Sequence, residues 1–408
     1  MESATARPTR LPILVTVGAL GFTSGLPLVL TQSTLQAWMR SAGVDLKTVG
    51  LFALAGLPYT LKFVWSPLMD RYRPPFLGRR RGWILLMFLA ILALLGCLAQ
   101  SDPHTHLRGM AMLAMGVAFC SASADINVDA YRTELLPGKL LGPGTSLHIT
   151  GYRLGMVVAG GLALILADWL PWRVVYLLMA LTLLPGIVAT CFAPEPDTPG
   201  APRTLREAVV DPFTGFMRRR RALEVLAFIL LYKLGDGLCT ALNVPFLLDQ
   251  GFSRTEIGLA NKGVGMACLI LGGLLGGLLM SRWTLRRSLW FFGLLQMVSM
   301  SGHVALALLG KNHALLLLTI AVENSIFAMG TVAYLALIQR CCDRHSTATQ
   351  FALLSSLSAF TRVLFAAPAG YLASSVGWPG YFLVCMVLAV PGLLLLRRFD
   401  RWELPAVA

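Results

Sequence analysis

The sequence predicts an all-α membrane protein with twelve transmembrane helices in two pseudo-symmetric six-helix halves. Three observations support this prediction. Hydrophobic residues make up 56% of the 408 residues, charged residues only 13%, and the mean hydropathy is +0.70. Lys and Arg are concentrated in every second loop. Finally, several motifs recur at an offset of about 210 residues.

The apolar segments have the length that membrane helices require. A bilayer core about 30 Å thick needs roughly 20 apolar residues per helix. The predicted spans are 12–32, 48–69, 83–100, 108–132, 143–168, 173–193, 222–245, 257–281, 287–309, 313–340, 347–376 and 379–396. The first span runs on to Thr31 without a small-residue cleavage site, so we interpret it as a helix rather than a signal peptide.

The distribution of Lys and Arg predicts the orientation in the membrane. With a cytoplasmic N-terminus, most of these residues fall in inside loops and tails. The outside loops then hold only Arg40, Lys47, Arg108, Arg173, Arg254 and Lys311. Both termini are therefore predicted to be cytoplasmic. The net charge of +14 is a topology signal rather than a nucleic-acid footprint, and the run MRRRRA at 217–222 is better interpreted as an inner-leaflet anchor than as a nucleic-acid site.

The sequence contains no motif that is typical of an enzyme active site or of a cofactor-binding site. Most of the cysteines lie singly within or at the ends of spans, and the six histidines are scattered. Neither a disulfide framework nor a metal-ligand spacing is present, so no metal site and no cofactor are predicted. There is also no nucleophile beside a base and no phosphate-binding loop. An enzyme or a non-transporting sensor is therefore the least favoured class, and coupling to an ion gradient is expected.

The repeat defines the predicted domains. SGLPLVLTQSTLQAWM from Ser24 resembles DGLCTALNVPFLLDQ from Asp236, and Arg153 in span five corresponds to Arg362 in span eleven. The predicted divisions are 1–193 for the N-terminal half, 194–221 for a cytoplasmic linker and 222–408 for the C-terminal half. The halves are expected to be related by a pseudo-twofold axis normal to the membrane, with the cavity between them.

A charged motif lies between spans two and three. SPLMDRYRPPFLGRRRGW, residues 66–83, has the G-x-x-x-D-R-x-G-R-R character of the major facilitator signature, with Ser66 where that family usually has Gly. Asp70 and Arg71 can tie helix ends together, and Glu134 is a candidate partner for the Arg71 loop. These three residues are predicted to gate the protein. The alternative is that the positive charges of this stretch serve only to keep the loop on the cytoplasmic side of the membrane.

Longer stretches resemble one family within that superfamily. GLPLVLTQSTLQAWM, AFCSASADINVDAYRTELLP, LYKLGDG and ATQFALLSSLSAFTRV are similar to the AmpG muropeptide permeases, and the match covers nearly the whole chain. The resemblance implies a bacterial inner-membrane importer that uses the proton gradient to bring anhydromuropeptides from periplasm to cytoplasm. A monomer without nucleic-acid partners is expected. A siderophore or other anionic-solute permease of the same fold is the alternative, because a fold does not settle the substrate.

The chain departs from that family in two places. Ala124 stands where relatives often carry Gln, which removes one hydrogen-bond partner for the acid at 125. Some family members continue into two further spans after the twelfth, and the expectation is that those spans are dispensable.

Two carboxylates interrupt the apolar fourth span. Asp125 and Asp129 are one turn apart, about 6 Å along one helix face. A charge at helix centre costs about 2.5 to 3.5 kcal/mol on insertion scales, so it is rarely kept without a role. Neighbouring acids in a low dielectric repel each other, which favours binding of one proton by the pair. Asp125, assisted by Asp129, is predicted to be the proton-coupling site, although Asp129 can instead brace the helix end.

A further set of polar residues is predicted to bind the substrate. An anionic substrate needs cations that face a central cavity, and a sugar needs aromatic and amide side chains. The predicted residues are Gln36, Trp38, Tyr59, Lys62, Arg153, Lys233, Asp236, Asn261, Lys262, Glu323, Asn324 and Arg362. For Lys62 the alternative is a side chain that snorkels towards the interface. Lys233 and Asp236 can simply neutralise one another.

Overall fold

The structure of this protein is a computed structural model, and it describes residues 10–45, 48, 52–136, 138–196, 204–343, 345–366 and 369–402. In this part of the chain all regular secondary structure is helical. Ten helices are long and apolar enough to cross a membrane. We label them α1 (Leu11–Ser41), α3 (Arg79–Ala99), α4 (Leu107–Leu135), α5 (Gly138–Ala167), α6 (Trp172–Phe192), α7 (Ala222–Asp249), α8 (Thr255–Met280), α9 (Leu285–Leu309), α10 (His313–Cys341) and α12 (Ala369–Arg401), leaving α2 and α11 for two predicted spans that do not meet this criterion.

The second predicted span, α2, is broken into short pieces. Its described elements are Phe52–Gly56, Leu57–Leu61, Lys62–Val64 and Ser66–Arg71, which alternate between 3₁₀ and α geometry. Pro58 and Pro67 stand in the first turns of two of these pieces, because proline cannot donate the backbone hydrogen bond that would continue the preceding helix. Among the described residues, none of the α2 pieces is as long as the other spans, and positions 49–51 of the predicted span lie outside the described part of the chain.

The last two predicted spans meet at Gly377. Helix α11 is Thr347–Ala366, and the helical segment Ala369–Leu395 is interrupted at Gly377, whose φ of 69° lies in the left-handed region. Glycine adopts this conformation without steric cost, and Pro379 follows as a residue suited to begin a new helix. The break lies between the predicted span ends 376 and 379 and interrupts the stretch labelled α12, Ala369–Arg401.

The chain forms two compact units. Unit 1 consists of Met1–Pro137, Leu147–Pro212 and Cys342–Ala352, and unit 2 of Gly138–Ser146, Phe213–Cys341 and Leu353–Ala408. Unit 1 thus includes the first turns of α11, whereas unit 2 includes the first turns of α5. The division into halves at residues 193 and 222 remains a prediction.

Each unit has its own apolar core. In unit 1 the core includes Leu26, Phe88, Ile91 and Tyr176, all with no or almost no exposed surface. In unit 2 the central cluster includes Phe246, Tyr381, Phe382 and Cys385. Many other large apolar side chains are exposed, among them Leu271, Leu318 and Val387. A membrane protein is expected to present such side chains to lipid.

Candidate functional site: buried charges in the helix bundle

A fully buried arginine organises the charged motif in unit 1. Arg80, in the first turn of α3, places Nη2 2.8 Å from Oδ1 of Asp70 and 2.5 Å from Oε1 of Glu134. The Asp70 carboxylate also accepts hydrogen bonds from the backbone N–H groups of Ala348 (3.3 Å) and Thr349 (2.8 Å). The Thr349 hydroxyl donates to it as well, at 2.7 Å. Asp70 therefore caps the N-terminus of α11, where a negative charge is favoured.

Arg80, rather than Arg71, is the cation that joins the two acids of the predicted gate. Arg71 ends a short helix and lies over the ring of Tyr72, 5.4 Å from its centroid. Glu134 contacts the predicted loop that contains Arg71, but through Arg80 and Arg79 (3.6 Å) rather than through Arg71 itself. The physical reason is that Arg80 points into the helix packing from the first turn of α3, while Arg71 is only half-buried.

The start of α3 has a second acidic partner that the sequence analysis missed. The carboxylate of Glu195, which follows α6, accepts the backbone N–H groups of Arg80 (2.8 Å) and Arg81 (3.1 Å). Arg81 in turn donates to the carbonyls of Thr190 (2.9 Å) and Cys191 (2.6 Å) at the end of α6. In the sequence, Glu195 is recognisable only as an acidic residue that follows a predicted span, and this position does not reveal its partners. These bonds satisfy the otherwise unpaired groups of both helix ends.

Asp129 is the centre of an ionic cluster in unit 1. Its Oδ1 lies 2.9 Å from Nη2 of Arg132, one turn further along α4. Its Oδ2 lies 3.8 Å from Nζ of Lys62, and Nε2 of His148 is 4.0 Å from Oδ1. All four side chains are largely buried. The structure therefore pairs Lys62 with a carboxylate, and its role in substrate binding remains a prediction.

Asp125 occupies a different environment one turn away. Its Oδ1 is buried and has no hydrogen-bond partner among the described residues. Lys62 and Asp129 both act on it electrostatically. Asp125 in turn acts on the phenol groups of Tyr59 and Tyr152. The two neighbouring acids thus differ: Asp129 is paired with cations, whereas Asp125 interacts with the Ser24 side chain and its Oδ1 accepts no hydrogen bond from the described residues.

A second polar cluster lies in unit 2. Nζ of Lys233 is 3.5 Å from Oδ2 of Asp236, and Nε2 of Gln296 donates to Oδ1 of Asp236 at 2.6 Å. The same lysine lies 4.2 Å from the ring centroid of Phe327. Lys233 and Asp236 do neutralise one another here, and α9 supplies Gln296, which the sequence analysis did not identify.

Next to this cluster, α7, α9 and α10 bring three further groups together. Sγ of Cys239 lies 3.5 Å from Oε1 of Glu323, and Nε2 of His303 lies 3.3 Å from Oε2 of Glu323. All three residues are buried. Glu323 was a predicted substrate residue, but Cys239 and His303 were not, since no sequence spacing connects them.

Two predicted residues lie in a segment with unusual helix geometry. Asn261 and Lys262 belong to the π-helical stretch Leu259–Gly265 in α8, and α5 contains a second such stretch at Val158–Leu162. Single π-helical turns within α-helices are frequent at functional sites. The side chain of Lys262 is exposed.

The remaining predicted residues belong to several different helices. Arg153 is buried in α5, whereas Gln36 is half-buried in α1. Asn324 donates to the carbonyl of Ile320 in its own helix at 2.8 Å. The side chain of Arg362 lies outside the described residues. The structure thus describes one polar cluster within each unit, around Asp129 in unit 1 and around Asp236 in unit 2.

Trp38 is part of the apolar core of unit 1. It is 6% exposed and packs on the ring of Tyr176 at 4.9 Å and on that of Trp172 at 6.0 Å. Rings buried on both sides in this way contribute mainly by removing apolar surface from water and lipid contact. The Trp38 ring is therefore too buried in this structure to stack on a sugar, as the sequence analysis predicted it would.

Comparison with known proteins identifies the family. The Major Facilitator Superfamily model matches residues 14–366. The anhydromuropeptide permease of Escherichia coli strain K12 is 48% identical over 380 residues, covering 92% of this chain and 77% of the permease. Putative transporter AmpG 4 of Rickettsia felis is 31% identical over 399 residues, covering 94% and 95%.

A solved structure shares the fold. The E. coli fucose:proton symporter matches with a TM-score of 0.72 over 96% of this chain and 99% of the symporter, at 13% sequence identity. A likeness at that identity concerns the fold alone. With the family model and the close relatives, it agrees with the all-α architecture and the twelve-span count. The chain belongs to the Major Facilitator Superfamily and, within it, to the AmpG-type transporters.

Proposed function

We propose that this protein imports anhydromuropeptides from periplasm to cytoplasm by alternating access, coupled to the inward movement of protons. It acts as a transporter rather than an enzyme, as a monomer in the bacterial inner membrane with both termini in the cytoplasm, and without a cofactor. The extensive similarity to the E. coli anhydromuropeptide permease supports the substrate class. The excess of Lys and Arg in alternate loops supports the orientation.

The observation that carries proton coupling is the contrast between Asp125 and Asp129. A buried polar atom without a hydrogen bond is costly, and a buried charge is costlier still. Protonation of Asp125 removes its charge without disturbing the ion pairs of Asp129 one turn away. Asp125 is therefore the group that carries the transported proton, and Asp129 holds the cations beside it.

The cluster also suggests how the proton and the substrate are coupled. Lys62 is held at 3.8 Å by the Asp129 carboxylate, so its charge is partly compensated in the absence of substrate. A proton bound by the acid pair reduces the negative charge that Lys62 faces. Lys62 then attracts a carboxylate of the muropeptide peptide more strongly, since charge interactions are strong in a low dielectric. Proton binding thus raises substrate affinity, and by linkage substrate binding raises proton affinity.

Replacing Lys62 with glutamine tests this coupling. The variant K62Q should raise the KM for a peptide-bearing anhydromuropeptide by about tenfold, the equivalent of about 1.4 kcal/mol. The KM for the same sugar without its peptide should change much less, because the lost charge faces a peptide carboxylate. Lys139→Gln, at an exposed lysine in the first turn of α5, is the matched control. Equal KM values for K62Q and wild-type protein would remove Lys62 from the substrate site.

Substrate class is tested by uptake into intact cells. The gene is expressed in a permease-deficient bacterium, and uptake of labelled anhydromuropeptide is compared with uptake of a ferric siderophore. The account predicts uptake of the muropeptide that stops when a protonophore collapses the proton gradient. Uptake of the siderophore but not of the muropeptide would indicate instead that the protein is a siderophore permease of the same fold. Muropeptide uptake that is indifferent to the protonophore would contradict proton coupling.

A further inference from the structure

Three donor groups suited to a transition metal meet within unit 2. Cys239 lies in α7, His303 in α9 and Glu323 in α10. With one donor atom taken from each residue, all three atoms lie within 4.8 Å of one another. Cysteine, histidine and a carboxylate are the side chains that bind Zn²⁺ in proteins. Because they come from three helices, no local sequence motif announces them.

The donors lie close to the separations that a small tetrahedral ion requires. Zn²⁺ binds sulfur at about 2.3 Å and nitrogen or oxygen at about 2.0 to 2.2 Å, so donors in a tetrahedral site lie about 3.3 to 3.6 Å apart. The shortest contacts are 3.5 Å for Cys239 Sγ to Glu323 Oε1 and 3.3 Å for His303 Nε2 to Glu323 Oε2, which involve the two different carboxylate oxygens; with one atom per residue, all three donors lie within 4.8 Å. Nδ1 of the same imidazole is 3.9 Å from Cys239 Sγ. A modest rotation of the imidazole ring brings one nitrogen towards both partners.

The charges around the cluster favour a cation. A metal-bound thiol is deprotonated, so Cys239 and Glu323 together supply two negative charges. Asp236 acts electrostatically on both of them, and it is itself paired with Lys233 at 3.5 Å. One divalent cation would neutralise the two donor charges, and in a buried position this neutralisation is strongly favourable.

Neighbouring rings hold the His303 imidazole in place, and Glu323 is the more accessible of these two ligands. The His303 ring lies 4.8 Å from the ring of Phe382 and 6.0 Å from that of Phe246, which restricts its orientation. The side chain of Glu323 is 11% accessible, whereas that of His303 is 1% accessible. A metal would therefore enter from the Glu323 side, and a water molecule could take the fourth position there. Such fixed outer contacts tune metal affinity.

We infer that Cys239, His303 and Glu323 form a binding site for a divalent transition metal, with Zn²⁺ as the metal best suited to this donor set. Thiolate and imidazole ligands select Zn²⁺ over Mg²⁺ and Ca²⁺, which require oxygen ligands. The bound ion cross-links α7, α9 and α10 and stabilises unit 2. In this assignment Glu323 is a metal ligand rather than a substrate residue.

Cobalt binding to the purified full-length protein tests the site directly. Titration with Co²⁺ in detergent should give about one equivalent and a sulfur-to-cobalt charge-transfer absorption band, because a thiolate is among the ligands. Cys239→Ser should abolish the band, and His303→Gln should weaken cobalt binding by more than about tenfold. Cys341→Ser is the matched control, since Cys341 is equally buried and lies 18 residues beyond Glu323 in the same helix.

Thermal unfolding provides a second measurement that does not depend on absorption. Zn²⁺ should raise the Tm of the wild-type and Cys341→Ser proteins but not that of Cys239→Ser, because ligand binding to the folded state stabilises it. If the three residues only hydrogen-bond to one another, the wild-type protein will show neither a cobalt band nor a Zn²⁺-dependent Tm. That outcome, or a band that persists in Cys239→Ser, overturns the proposal. Neither measurement involves transport, so its failure is distinct from failure of the proposed function.

Discussion

Replacing Asp125 with asparagine should abolish proton-driven accumulation of anhydromuropeptide while substrate binding and counterflow survive. Asparagine keeps the shape of the side chain but cannot bind and release a proton. Because the Asp129 ion pairs with Lys62 and Arg132 are one turn away, the substitution leaves the neighbouring cations in place. Reconstituted vesicles separate the cases, since binding, counterflow and uphill uptake are measured independently under an imposed pH gradient.

Two further variants sharpen this experiment. Asp102→Asn changes an exposed acid in the loop between α3 and α4 and should leave all three measurements unchanged. Asp129→Asn should be milder than Asp125→Asn if Asp129 mainly holds cations, and equally severe if the two acids share one proton. Vesicles with Asp125→Asn that still concentrate muropeptide in step with the pH gradient would place the proton site elsewhere.

Replacing Arg80 with methionine should cause the largest loss of stability. Methionine fills a similar volume, but it leaves the buried carboxylates of Asp70 and Glu134 without their shared guanidinium. Removing one partner of a buried ion pair typically costs about 3 to 5 kcal/mol. The purified R80M variant should therefore unfold at a markedly lower temperature than the wild-type protein. Arg73→Met, at an exposed arginine of the adjoining loop, is the matched control.

A triple variant identifies the cause of this destabilisation. Asp70→Asn and Glu134→Gln remove the two charges that Arg80→Met leaves unpaired, so adding them to R80M should recover part of the lost Tm. Recovery indicates that uncompensated charge, rather than lost packing, destabilises R80M. An R80M protein that unfolds at the same temperature as R73M would contradict the assigned role of Arg80.

The fold was largely predictable from composition and local pattern. The twelve apolar segments follow from hydropathy, and the boundary between the last two spans follows from the helix-terminating pair Gly377 and Pro379. Pro58 and Pro67 likewise indicate where α2 is interrupted. These features are encoded in neighbouring residues, so one sequence suffices to locate them.

The site was predictable only where its residues lie on one helix. Asp125 and Asp129 stand out because two acids one turn apart in an apolar helix have few structural uses. The choice of Arg80 over Arg71 depends on the direction in which the first turn of α3 faces, which adjacent arginines in a sequence cannot reveal. The grouping of Cys239, His303 and Glu323 depends on the packing of three helices, and that packing is specified by no local spacing.

The most direct test of the central claim is whether muropeptide movement itself carries protons. Anhydromuropeptide is added outside right-side-out vesicles that contain the wild-type protein and no imposed gradient, and external pH is followed with an indicator dye. The account predicts that the external medium becomes more alkaline on addition of the substrate, and that this change is absent with Asp125→Asn vesicles. Muropeptide entry into wild-type vesicles without any change in external pH would contradict proton-coupled import.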